Sequence, residues 1–499
     1  MSLKRNVIAN YVSQIYVALV GILILPLYIK GMGAEAYGLI GFFTMLQAWF
    51  ALLDLGLTPT VGRETARFRA GSMSAIDYRR LLRALSVIFM TIALLGGGAL
   101  LLFSQEISTH WLKIETLSQD DVIAALKVMS ICVALRWMGG LYRGVISGSE
   151  RLVWLSLYNM VIASLRFIAV FVSMEIYGYT IMVFFIHQLM VAALELLGLF
   201  AMAGKLTPSC ADSRERIGWS FSTVSPLLGF ALSIAFTSSV WVLVTQSDKL
   251  ILSGVLSLAD YGHFTLAVLA ASGIMVLSGP VSSAILPRMA RLHAEGKADE
   301  VIRVYRMATQ FTAIFIGAVS IVLAYCARPL LTIWTGDALL ADTVAPVLSL
   351  YACGNGFLAL AAFPYYLQYA KGNLRYHLIG SLITVVVLVP AMVLAASSFG
   401  GVGAGWAWLL VNAGFFFLWV TFVHRRIAPG LEWHWLFKDC LRAMVPTALV
   451  LGGVVQMIDF SNDRLIALLQ IMGLGVLALI VAVSCFASSV RVLYRQARG

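Results

Sequence analysis

Residues 49–68 read WFALLDLGLTPTVGRETARF. The stretch passes from an apolar run into a cationic one. A single acid, Asp54, and two helix-weakening residues, Gly56 and Pro59, stand at the junction. Such an acid serves a proton or substrate site, a gate, or only the place where a membrane helix stops. Which of these applies depends on what surrounds the run.

The chain has 499 residues, of which 61% are hydrophobic and 12% charged. A soluble globular protein carries roughly 25% charged residues, so this one lacks the polar surface to cover a water-facing body. Apolar runs of the length that crosses a bilayer as a helix, about 20 residues, recur from end to end. Only helices or closed barrels satisfy their backbone in lipid. The runs are continuous rather than alternating, which selects helices. The chain therefore reads as an all-α polytopic membrane protein.

Fourteen spans are expected, at 7–29, 38–60, 81–103, 122–148, 154–176, 180–203, 223–252, 262–286, 304–326, 344–369, 377–397, 402–423, 442–459 and 464–486. The positive-inside rule tests that division. With the N-terminus in the cytoplasm, 27 Lys and Arg fall on the cytoplasmic side and 6 on the other, leaving Arg136 and Arg166 within spans. Both termini are thus expected in the cytoplasm. The net charge of +11 is mainly a topology signal rather than a nucleic-acid footprint. Lys4 and Arg5 precede an apolar run too long for a cleaved signal peptide, so the first span is read as uncleaved.

Sliding the chain by 224 residues lays Tyr37-Gly38 on Tyr261-Gly262, Arg67 on Arg291, and Gly148 and Arg151 on Gly372 and Arg375. The offset equals six spans, an even number, which keeps orientation. Two parallel repeats would then be related by an axis along the membrane normal. The expected organisation is an N-lobe over 1–205, a cytoplasmic linker over 206–220, a C-lobe over 221–425, and two further spans with a tail over 426–499.

Soluble-enzyme chemistry has no foothold. There is no HExxH or GxSxG, and the six cysteines form no CxxC pair, so neither a catalytic residue nor a metal site is assigned. The run GLFAMAGK at 198–205 has the wrong spacing for a phosphate loop and lacks the following Ser or Thr, so ATP is not an expected ligand. No cofactor is expected. Loops under 30 residues leave no room for a soluble catalytic domain, which favours transport over a membrane-embedded polymerase or ligase.

Charges in the bilayer are costly, roughly 2.5–3.5 kcal/mol for Arg or Asp at a helix centre, and usually face a cavity or a partner. Arg136 and Arg166 sit near the middle of spans four and five. A narrow stripe of Cys132, Arg136, Gly140 and Arg143 marks one helix face, and Asn159, Ala163, Arg166 and Ser173 another. Guanidiniums at that depth suit an anion such as a pyrophosphate or an acidic sugar. Internal pairing with Glu175, Glu195 or Asp54 would explain them equally. Asn10 and Gln14 give the inner half of span one a polar face, either a path lining or helix–helix glue. Glu195 is a coupling acid or a partner for the arginines. Asp248 and Lys249 are adjacent and, since neighbours on a helix point apart, each is expected to have its own partner. Asp54 is expected about 9 Å from the inner end of span two, with Arg63 and Arg67 drawing it into an interfacial ion pair.

Four stretches carry a family resemblance: GMGAEAYGLIGFF (31–43), LLDLGLTPTVGRETAR (52–67), SDKLILSGVLSLADYGHFTLA (247–267) and AILPRMARL (284–292). They resemble the polysaccharide transporter family of the multidrug, oligosaccharidyl-lipid and polysaccharide exporter superfamily, the O-antigen flippase type above all. The resemblance implies two six-helix lobes in a V around a cationic lumen. It implies alternating access that moves an undecaprenyl-pyrophosphate-linked oligosaccharide between leaflets of the bacterial inner membrane. Arg136, Arg166, Arg143, Asn10, Gln14 and Asn159 would line the lumen, with Asp54, Glu195 and Asp248 as coupling or gate residues. Its partners would be membrane lipids and the polymerase and chain-length proteins of the same pathway. A lipid II flippase or a drug/cation antiporter of the same superfamily is the alternative.

Overall fold

The computed structural model describes residues 3–208 and 224–486. Most of the expected linker, and the tail beyond 486, lie outside the described residues. Apart from one isolated bridge between Lys113 and Ser257, all named elements are helical. Cα packing separates two compact units, Met1–Gly262 and His263–Gly499.

The first unit holds α1 (Leu3–Leu23), α2 (Ala34–Phe50), α3 (Leu57–Arg69), α4 (Ala75–Leu102), α5 (Gln119–Gly148), α6 (Leu152–Phe167), α7 (Ile181–Leu206) and α8 (Leu228–Val255). Next come α9 (Leu258–Ala294), α10 (Ala298–Tyr325), α11 (Ala338–Ala361), α12 (Arg375–Gly414), α13 (Arg442–Val455) and α14 (Arg464–Ser484). By packing, α8 goes with the first unit. The lobe division at 205/221 rests on the internal repeat and remains a proposal.

Among the described residues, eleven helical runs are long and apolar enough to cross a membrane. One of them, Arg375–Ile427, has 53 residues and reverses at Gly400, whose φ of 59° and ψ of −142° are not helical. A Cβ at Gly403 would run into the Ala395 carbonyl, which only a folded-back chain permits, so this run crosses twice. With α8 and α13, the latter lengthened by the π-helix Trp435–Leu441, the number of crossings is about fourteen.

Span two is not the continuous helix expected. After α2 comes a short 3-10 turn, Ala51–Asp54, and then two left-handed residues, Leu55 (φ 47°) and Gly56 (φ 71°). A leucine in that region costs roughly 1–2 kcal/mol, so the break is imposed by its surroundings. Pro59 follows at the third position of α3, within the first turn, where its missing N–H removes no helical bond. One face of α5 carries Gly140, Gly144 and Gly148, and α3 lies against it. A Cβ at Gly144 would come 2.8 Å from the Thr58 carbonyl and from Val61, and one at Gly148 would strike the Gly62 carbonyl. Small residues at such spacing let membrane helices approach backbone to backbone.

A second close approach joins the start of α2 to the start of α9. A Cβ at Gly38 would strike the Leu258 carbonyl, and one at Gly262 would lie 2.5 Å from the Ala34 carbonyl. Ala34 and Gly38 map onto Leu258 and Gly262 under the 224-residue offset. The contact is therefore reciprocal, which is what a two-fold relation between two segments requires.

Candidate functional site

The first unit contains a cavity of about 460 Å³. Its wall includes Gln47 from α2, Asp54 and Thr58 from the break, Arg136 and Arg143 from α5, and Ser239 from α8. Arg136 and Arg143 are seven residues apart, two helical turns, so they share one face roughly 10 Å apart along the axis. Gly140 stands between them. A Cβ there would meet Thr58 Oγ1 at 2.7 Å and approach Asp54 Oδ1 at 3.9 Å. The glycine thus lets the broken helix bring its acid up to the arginine face.

The two wall arginines are held differently. Arg136 Nη1 donates to Gln47 Oε1 at 2.6 Å and Nη2 to Gln188 Oε1 at 2.7 Å. Gln188 is fixed in turn by donating to the Arg166 carbonyl at 2.9 Å. The Arg136 guanidinium also lies 5.0 Å from the Phe43 ring centroid, and its Nε is buried with no hydrogen-bond partner. All these partners are neutral. Arg143 donates to Asn159 Oδ1 at 2.6 Å and to Glu195 Oε1. Glu195, 5% exposed, accepts from Arg166 Nη2 at 2.6 Å through its other oxygen.

The arginines and Glu195 are therefore partly self-paired, as internal pairing required, but not completely. Glu195 answers Arg143 and Arg166 and not Arg136. Three guanidiniums face one carboxylate in this network. Glu175 does not take part; it accepts from Tyr179 at 2.5 Å. Arg166 does not line the cavity and stands behind it, across Glu195 from Arg143. Coulomb attraction in a low-dielectric interior is strong, so the ion pairs of Glu195 tie α5, α6 and α7 together, while Arg136 forms no direct ion pair among the described residues.

Asp54 is not drawn to Arg63 or Arg67. Arg67 pairs with Glu64 at 2.9 Å, and Asp54 instead caps α3, accepting from the Thr58 N–H at 3.2 Å and from Thr58 Oγ1 at 2.5 Å. The reason is local: a chain reversing at Leu55–Gly56 leaves the first amides of α3 unsatisfied, and the nearest acceptor is the Asp54 side chain. Asp54 makes no ion pair among the described residues. Asp248 and Lys249 do meet, against expectation, with Nζ 3.2 Å from Oδ1. The flexible lysine stem folds back and also donates to the Thr245 carbonyl at 3.0 Å. The pair lies outside the cavity wall.

Asn10 and Gln14 are exposed on α1 and are not brought into the arginine network. The α1 side chains that tie it to α6 are Ser13, donating to the Ser156 carbonyl at 3.0 Å, and Tyr16, 2.7 Å from Ser164 Oγ. Gln47 escaped the reading of the sequence, although a lone amide in the apolar run of α2 was the available signal. No group of His, Cys, Asp and Glu able to hold a metal occurs among the described residues.

The chain matches the family model described as polysaccharide biosynthesis protein over residues 3–293. The model of the lipid II flippase MurJ matches residues 156–474. It is 22% identical over 419 residues to a Shigella flexneri protein named "Putative O-antigen transporter", covering 82% of this chain and 94% of that one. In fold it resembles the lipid II flippase MurJ in an inward closed conformation, with a TM-score of 0.75, 15% identity, and 97% and 99% of the two chains covered. It also resembles an inward-facing multidrug resistance MATE family transporter of the MOP superfamily, with a TM-score of 0.68, 11% identity, and 83% and 98% covered.

Proposed function

Because the chain belongs to the polysaccharide biosynthesis protein family, we propose that it is a flippase for a lipid-linked oligosaccharide. Its cargo is an undecaprenyl-pyrophosphate-linked repeat unit of an O-antigen, capsule or exopolysaccharide. The cargo moves from the cytoplasmic to the periplasmic leaflet of the inner membrane by alternating access of the two repeats. The observation that carries this reading is the cavity wall: Arg136 and Arg143 face it, and Arg136 is held only by neutral amide oxygens. A pyrophosphate supplies the negative charge that the amide partners of Arg136 lack, while the polyprenyl tail stays in lipid.

Each group then has a task. Arg136 takes the charge of the headgroup, and Arg143, two turns away, takes a second anionic oxygen or an acidic sugar. Glu195, Asn159 and Arg166 hold Arg143 in place from behind. Asn10 and Gln14 line the inner part of the route. Asp54, Glu195 and Asp248 remain the acids available to couple or gate the cycle. Of these, Glu195 would have to give up two ion pairs to carry a proton, so Asp54 is the freer group.

A lipid II flippase is the second reading, favoured by the MurJ model match; it shares the pyrophosphate chemistry and differs in the attached sugar. A drug/cation antiporter is disfavoured, because a cationic wall repels its substrates.

The test is translocation of defined lipid-linked glycans in proteoliposomes. Arg136→Gln with Arg143→Gln should reduce flipping at least about tenfold, the factor for about 1.4 kcal/mol of lost binding. Undiminished flipping by that double variant would sink the headgroup role. Offering lipid II beside an O-antigen precursor separates the two flippase readings.

A further inference from the structure

The last two helices, α13 and α14, lie beyond the two repeats, and their point of entry is built in an unusual way. Between Ile427, where a membrane crossing ends, and α13 lies the run APGLEWHWLFKDCL, residues 428–441. Its second half is the π-helix Trp435–Leu441. The extra residue per turn is uncommon and tends to occur where a site is being shaped.

The inner face of that π-helix is pinned. Asp439, fully buried, accepts from Arg306 Nε at 2.7 Å and Nη2 at 3.0 Å and from Gln310 at 2.6 Å. Trp435, also fully buried, donates to Thr309 Oγ1 at 2.9 Å. His434 Nε2 lies 2.5 Å from Arg306 Nη2. All these partners lie on α10, so the segment cannot roll.

Its outer face consequently points away from the protein. Trp433 and Phe437 stack at 5.9 Å and are 51% and 56% exposed. The Arg425 guanidinium lies 5.5 Å from the Trp433 ring centroid. Arg426 lies 5.6 Å from the Phe422 ring; Lys438 and Arg442, one helical turn apart, are exposed, and the Arg442 guanidinium lies 5.7 Å from the Phe486 ring centroid. Against four cations stands Glu432, 3.8 Å from Arg425.

We propose that this face is a binding site for the headgroup of an anionic phospholipid. Exposed aromatics beside basic side chains at the end of a crossing match the chemistry of the membrane boundary. The phosphate would lie beside Arg425 at the Trp433 ring, with Arg426, Lys438 and Arg442 adding positive charge to the same end of the crossing, and the acyl chains would run past Trp433 and Phe437. The rigid inner face makes it a formed site, distinct from a diffuse basic surface. The proposal does not depend on the flippase reading.

Native mass spectrometry of the full chain tests it, with phosphatidylglycerol and phosphatidylcholine of identical chains supplied in equal amounts. The wild type should retain phosphatidylglycerol in preference. Arg425→Gln, Arg426→Gln, Lys438→Gln and Arg442→Gln combined should lower that preference by about tenfold, a conservative figure for four surface cations. The milder pair Arg425→Gln/Lys438→Gln serves if the full set misfolds, and should lower it in the same direction. A same-side control, Arg79→Gln/Arg80→Gln/Arg83→Gln, should leave it intact. An unchanged preference in the Arg425 set, or an equal loss in the control, would overturn the site.

Discussion

Arg136 and Arg143 leave the same helix face, but their surroundings give them different chemistry. Arg143 shares Glu195 with Arg166, and Arg136 has only amides and a ring. Breaking one partner out of a buried ion pair usually costs about 3–5 kcal/mol, because a charge is left uncompensated. Glu195→Gln should therefore lower thermal stability by an amount of that order, and Glu195→Leu with Arg166→Leu should recover part of it, as read by melting in detergent. Asp54 has the opposite character. As a cap for α3 its work is done by an oxygen, which Asn also supplies. Asp54→Asn should keep stability and transport near wild type, and Asp54→Ala should lose about 0.5–2 kcal/mol. A flipping rate that loses its pH dependence in Asp54→Asn would instead assign Asp54 to proton coupling. Arg136 was legible in the sequence because charge at mid-span is conspicuous, and Arg143, counted on the cytoplasmic side, was legible from its place on the same polar stripe. Their assignment to front or back of the site was not, since it depends on which neutral or acidic neighbour the packing supplies.

At the scale of elements, two devices set the site. The first is the glycine face of α5, which admits α3 at backbone distance. Gly144→Val would drive two methyl groups into Val61 and the Thr58 carbonyl. Overpacking of this kind costs typically 1–3 kcal/mol, and it should also displace Asp54 and Thr58 from the cavity wall. The measurement is melting temperature together with flipping rate, and a variant that loses neither would refute the close fit. The second device is the π-helix held by Asp439. Asp439→Leu leaves Arg306 facing apolar carbon and should cost about 3–5 kcal/mol, checked by thermal unfolding of α10-linked probes. His434 reports on the same joint. Burial, and then the positive charge of Arg306, hold its imidazole below the ordinary histidine value. A depressed histidine adds stability that is fully present above its unfolded pKa, near 6.5, and is lost as the pH falls below it. His434→Gln should remove that part of the acid dependence. The helices were legible as apolar runs, but the break at Leu55–Gly56 and the π-helix were not, because each is a local distortion selected by partners distant in sequence.

For the whole molecule, the alternation of basic and apolar segments made the topology readable, and the offset of 224 residues pointed to two repeats. The reciprocal contact of Gly38 with Leu258 and of Gly262 with Ala34 gives that offset a physical location. Gly38→Val should separate α2 from α9 and lower stability by about 1–3 kcal/mol, and Gly262→Val should do the same. Cysteine cross-linking between positions 34 and 262 would check the contact, with a low yield in the Gly38→Val variant.

The sequence by itself determined that this is a helical, multi-pass membrane protein of about fourteen crossings. Lipid cannot hydrogen-bond a backbone, and apolar length and flanking charge leave little choice. It also determined which residue types are too costly to lie in lipid without a purpose, Arg136 and Arg166 first among them. Only the tertiary structure decided that Arg143 rather than Arg166 faces the cavity beside Arg136, that Glu195 stands behind, and that Asp54 caps a helix. Those outcomes depend on distances of a few ångströms between side chains brought together from α2, α3, α5, α6 and α7. Coulomb and hydrogen-bond energies change steeply over such distances, and no periodicity in the chain encodes them.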